Sequence, residues 1–72
     1  MKEWQVLKQL QFDDRTVTIY RSMAALRQWK LTVKFRIGQI NEAIYPSEGD
    51  AFRSYYTEAQ NALAHEAQRW QG

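Results

Sequence analysis

The sequence predicts an α+β fold: an N-terminal β-hairpin followed by two helices, in the order ββαα. Three observations carry that reading. Two runs rich in β-formers flank the polar pair Asp13-Asp14. Apolar residues then recur at steps of three and four from Met23 to Ile44. A second stripe of that period follows Pro46.

Residues 4–20 form the predicted hairpin. With Asp13-Asp14 as its loop, Phe12 faces Arg15, Leu10 faces Val17 and Lys8 faces Ile19, while Gln11 and Gln9 meet Thr16 and Thr18. One face collects Phe12, Leu10, Val17 and Ile19, and the other is polar. A slip of one residue would exchange the faces, so the register is specified by burial. A lone hairpin is marginal in water and must lay its apolar face on something.

Residues 22–44 are predicted as the covering helix. Ser22 serves as N-cap, and Met23, Leu26, Trp29, Val33, Ile37, Ile40 and Ile44 make the stripe. Tyr45-Pro46 ends it, because the residue before proline avoids helical angles. A competing reading makes 31–37 a third strand, since Leu31-Thr-Val-Lys-Phe-Arg-Ile37 alternates and precedes Gly38. Against that strand stands the short return path, eight residues where a crossover to a parallel strand needs a dozen. Residues 48–71 form the last helix, capped by Ser47 or Asp50, with Phe52, Tyr55, Tyr56, Ala59, Leu63 and Trp70 on its apolar side.

The 72 residues make one small domain, 1–72, with no cysteine to staple it. A chain of this size buries only about 60% of its unfolded surface. Its three Trp, four Tyr and three Phe supply an aromatic core, and association with a partner remains a second remedy. A single histidine, His65, and scattered acids predict no metal site and no cofactor. No nucleophile–base pair or phosphate-cradling glycine loop is present, so an enzyme is not expected. No stretch reaches the roughly 18 apolar residues of a membrane span. The expected setting is intracellular, in a host cytoplasm or a virion.

Charge is segregated along the chain. Residues 15–41 hold six cations (Arg15, Arg21, Arg27, Lys30, Lys34 and Arg36) and no carboxylate, while residues 42–72 sum to −3 within a net charge of +2. A basic middle meets an anionic partner: nucleic acid, an acidic protein, or the acidic end of its own fold or of a neighbouring copy. Arg27, Lys30 and Lys34 follow one another at helical steps. Leu31 and Phe35, with Ala24, form a second apolar patch opposite the main stripe. With Arg21 at the hairpin's close and Trp70 near the C-terminus, these are the candidate partner-binding residues. Tyr20 and Trp29 are expected in the core rather than as stacking platforms.

The stretch Leu10-Gln-Phe-Asp-Asp-Arg-Thr-Val-Thr-Ile-Tyr-Arg-Ser-Met-Ala-Ala-Leu26 resembles the lambda W-type head–tail joining proteins of tailed phages, with Phe12, Asp13, Arg15, Val17, Tyr20, Arg21, Ser22, Met23 and Leu26 at the matching places. The resemblance implies a hairpin packed on two helices, no catalysis, and assembly as a ring that closes the filled capsid. It covers about a quarter of the chain. It departs from the family in lacking a helix before the hairpin, in Asp14 where glycine is usual, and in the added helix after Pro46. The expected function is therefore a non-catalytic assembly protein that docks onto a larger complex through its hairpin and basic middle helix. The alternative is a small phage- or mobile-element-encoded inhibitor of a host protein or nucleic-acid complex.

Overall fold

The computed structural model describes residues 3–71, with side chains up to Arg69. Four antiparallel strands, β1 (Trp4–Gln11), β2 (Arg15–Ser22), β3 (Trp29–Phe35) and β4 (Ile40–Tyr45), precede one helix, α1 (Glu48–Gln71). The strands form a meander in the order β1-β2-β3-β4. The fold is ββββα rather than ββαα.

The first hairpin has the register that its two-residue loop dictates: Lys8 opposite Ile19, Gln9 opposite Thr18, Leu10 opposite Val17 and Gln11 opposite Thr16. The Phe12 N–H closes it on the Arg15 carbonyl at 2.7 Å. Farther from the loop the register shifts between Val6 and Lys8. That bulge inserts Leu7 and turns Val6 and Trp4 to the opposite face from Lys8 and Leu10.

The predicted helix over 22–44 is absent; the segment folds as a loop and two strands. The objection to a strand at 31–37 assumed a parallel return. In fact β3 runs antiparallel to β2, with Arg21 opposite Trp29 and Arg15 opposite Phe35, so residues 23–28 suffice as the connection. Ser22 does act as a cap, but of this loop: its Oγ accepts the N–H of Ala24 at 3.2 Å and of Ala25 at 2.8 Å. Such local bonds compete with a helix as readily as they start one. Arg27 sits in the loop at φ 58°, a left-handed conformation that no helix tolerates. Gly38, at φ 106°, turns the chain from β3 into β4, and the Phe35 carbonyl accepts its N–H at 2.9 Å.

α1 begins where the Ser47 hydroxyl accepts the Asp50 N–H at 3.2 Å. Glu48 and Asp50 in its first turn and Arg69 in its last suit the helix dipole. Its buried residues are Ala51, Tyr55, Ala59 and Ala62. The contact stripe is thus rotated from the expected one, and Tyr56 and Leu63 face solvent at 50% and 56% exposure. The helix lies over β2 and β3, with a lighter contact to β4. Beneath it Val17, Ile19, Leu31 and Val33 form the core with Ala51 and Tyr55, edged by Leu7, Phe12, Trp29, Phe35, Tyr45 and Phe52. The small alanines let the helix approach the sheet closely, and Tyr55 fills the space that remains.

Two substitutions test this packing. Tyr55→Ala is expected to cost about 3 to 5 kcal/mol, and Ala51→Leu about 1 to 3 kcal/mol through overpacking. Urea unfolding followed by circular dichroism measures both; a loss under 1 kcal/mol for Tyr55→Ala would contradict the helix–sheet contact described.

Candidate docking face

Strand alternation sends every second side chain away from the helix. On β2 these are Thr16, Thr18, Tyr20 and Ser22, and on β3 they are Lys30, Thr32 and Lys34. On β4 they are Ile40, Glu42 and Ile44, opposite Lys34, Thr32 and Lys30 respectively. The bulge in β1 adds Val6, paired with Tyr20, and Trp4, paired with Ser22. No described element covers this face. Val6, Ile40 and Ile44 are 52%, 57% and 48% exposed. An antiparallel sheet often leaves one face to water, but that face is then usually polar.

The aromatic end of the face is built around Lys30. Its Nζ lies 4.6 Å from the Trp4 ring centroid and 4.7 Å from that of Tyr20. Two aromatic contacts hold the ammonium at the height of the rings. Beside it Gln9 Nε2 donates to Thr18 Oγ1 at 3.0 Å, which settles the polar atom of a threonine only 3% exposed. Lys34 stands two rows further along the strand, beyond Thr32. There the face runs into an open groove of about 560 Å³ lined by Gln11, Thr16, Lys34, Phe35 and Arg36 among others.

Arg15, at the same end, is already engaged. Its Nε and Nη2 donate to the two carboxylate oxygens of Asp14, each at 3.0 Å, and its guanidinium lies 4.8 Å from the Phe35 ring centroid. The Arg15 hydrogen bond holds the Asp14 carboxyl below its ordinary value of 3.8, and it raises Arg15 in return. His65 Nε2 approaches the same carboxylate at 3.4 Å. Glu66 accepts the Asp13 N–H at 2.7 Å, and Arg69 reaches Asp13 at 3.9 Å. These contacts tie the end of α1 to the hairpin turn.

Of the residues singled out in the sequence, Lys30 and Lys34 come together on the open face. Arg21 points to the helix side at the far end of the sheet, and Arg27 lies in the β2–β3 loop beside a second groove of about 270 Å³. Leu31 is buried and Phe35 is packed against the core, so the apolar patch expected of that pair does not reach the surface. Trp70 falls outside the residues whose side chains are described. Tyr20, expected inside, is on the open face; Trp29 is packed against the core, with its Nε1 buried and unbonded among the described residues. Trp4, Val6, Ile40 and Ile44 went unread as site residues. A shared-face test across four strands would have found the two isoleucines, whereas Trp4 and Val6 depend on the bulge. Among the described residues no group of acids, histidines or cysteines could hold a metal, and no helix is long and apolar enough to cross a membrane.

Comparison with known proteins finds no matching family model, no significantly similar curated protein and no significantly similar solved structure.

The Asp14 contact gives a pH prediction. Its folded pKa is depressed, so its contribution is present above 3.8 and is lost as pH falls through the folded value. Asp14→Asn should therefore be less stable than the parent at pH 7, by no more than about 1 kcal/mol for a partly exposed pair. The gap should narrow as pH falls below 3.8. Urea midpoints of both proteins from pH 7 to 2 check it; a gap that widens in acid contradicts the assignment.

Proposed function

We propose that this chain is a non-catalytic docking protein that works stoichiometrically, by laying the open face of its sheet on a larger complex. The observation that carries the reading is the uncovered face itself, where half-exposed aliphatic residues share a surface with Trp4, Tyr20 and two lysines. Exposed apolar side chains grouped on one face mark interaction sites, and aromatic anchors supply much of interface energy.

The head–tail joining resemblance implied a hairpin on two helices. Because the middle segment forms strands, a docking surface on a basic middle helix does not exist. The hairpin takes part only through the side turned from α1. Assembly onto a phage particle is one form that such docking takes, and the resemblance over residues 10–26 is its support. The fold supports the more general statement: a rigid face, a covered back, and a partner that reads the face.

A photo-cross-linking amino acid placed at Ile44 is expected to capture a macromolecular partner from the native cell extract, whereas the same group at Gln60, exposed on α1, should not. Capture from Gln60 with none from Ile44 would overturn the assignment of the face.

A further inference from the structure

We infer that the open face takes a single-stranded nucleic acid, its phosphates on Lys30, Lys34 and Arg36 and its bases over Trp4, Tyr20 and the neighbouring aliphatic residues. This rests on the docking reading above and names the partner.

Charge complementarity is the first argument. The face carries Lys30 and Lys34 against one acid, Glu42, and the groove beyond Lys34 adds Arg36 and Arg15 against Asp13. Lys30 and Lys34 are four residues apart on one strand, hence about 13 Å apart along it, so they track an extended backbone rather than grip a single anion. The helix layer on the other side carries Glu48, Asp50, Glu58 and Glu66 against Arg53 and Arg69. A polyanion is thus attracted to the sheet side and repelled from the helix side.

The apolar content decides between strand types. In a duplex the base faces are hidden, and the surface offered is phosphate and groove edge. Val6, Ile40 and Ile44 would gain nothing against it, and this face projects no helix or ribbon to enter a groove. Unpaired bases present π-faces, which suit a surface that mixes cations with aromatic and aliphatic side chains. Exposed Gln9 and Gln11 add donors and acceptors for base edges without committing to one sequence. A second copy of the chain is a poorer occupant. Lysine is depleted from the cores of protein interfaces, and two copies laid face to face would oppose surfaces of the same sign, Lys30 and Lys34 against Glu42 on each.

The test uses the full chain and fluorescently labelled 12-nucleotide oligo-dT, oligo-U and a duplex of equal length, followed by anisotropy from 50 to 300 mM salt. Binding of either single strand is expected at 50 mM salt, at least tenfold tighter than the duplex. Three phosphate contacts give a log–log salt slope of roughly −2. Lys34→Glu should weaken binding by about tenfold or more, and Gln60→Glu on the helix should not change it. Both positions are exposed, and circular dichroism melts verify that the variants fold. No single-strand binding at 50 mM salt, equal affinity for duplex, or indifference to Lys34→Glu would each overturn the inference. If the oligonucleotides fail while Ile44 still cross-links to a protein, the nucleic-acid assignment falls and the docking reading stands. A dimer that Ile44→Glu disrupts would overturn the assignment by giving the face to a second copy.

Discussion

One contact organises this molecule: a helix lying on one side of a twisted sheet. Val17, Ile19, Leu31 and Val33 present a small apolar surface, and Ala51, Tyr55, Ala59 and Ala62 cover it. With so few buried residues there is no second layer to spare. A single 24-residue helix, about 36 Å long, can cover only part of a four-stranded sheet. It is centred on β2 and β3, so the whole opposite face stays open.

The apolar contact runs out before the helix does. Past Ala62 the helix is secured by polar links instead: Glu66 to the Asp13 N–H, His65 to Asp14 and Arg69 to Asp13. These links are exposed or half-exposed, so each is individually weak. Together they fix which way the helix crosses, because the hairpin turn lies at only one corner of the sheet. The Asp13-Asp14 pair thus serves twice, as the turn and as the anchor for the helix end. It also engages Arg15, which lies on the helix side of β2 with Val17 and Ile19.

The parts legible in the sequence were those where one period had no rival. Alternation on both sides of Asp13-Asp14 gave the hairpin register pair by pair. A long three-four stripe after Pro46 gave the last helix. The middle segment defeated the same reasoning because residues four apart share a side in a strand as well as in a helix. Val33 with Ile37, Ile40 with Ile44 and Lys30 with Lys34 therefore fit both periods. Only steps of two discriminate, and Leu31, Val33 and Phe35 supplied them. The short connection of residues 23–28 argues against a parallel strand but not against the antiparallel one that forms. At the docking face, the shared side of Lys30 and Lys34 survived the change of fold for the same reason. The bulge at Leu7 had one sign in the sequence, the adjacent apolar pair Val6-Leu7 that breaks the alternation of Trp4–Lys8, and the placement of Trp4 and Val6 depended on reading it.

The bulge matters beyond bookkeeping of faces. Without it Trp4 and Val6 would lie on the helix side, and Lys30 would lose one of its two aromatic contacts. The inserted residue takes Leu7 to the core side and gives the outer face its aromatic corner. It also interrupts the ladder on an edge strand, which discourages pairing with another chain along that edge. A sheet that must keep one face bare gains from this arrangement. The β1 edge is thereby made a poorer template for further strands, while the β4 edge keeps a regular ladder with β3.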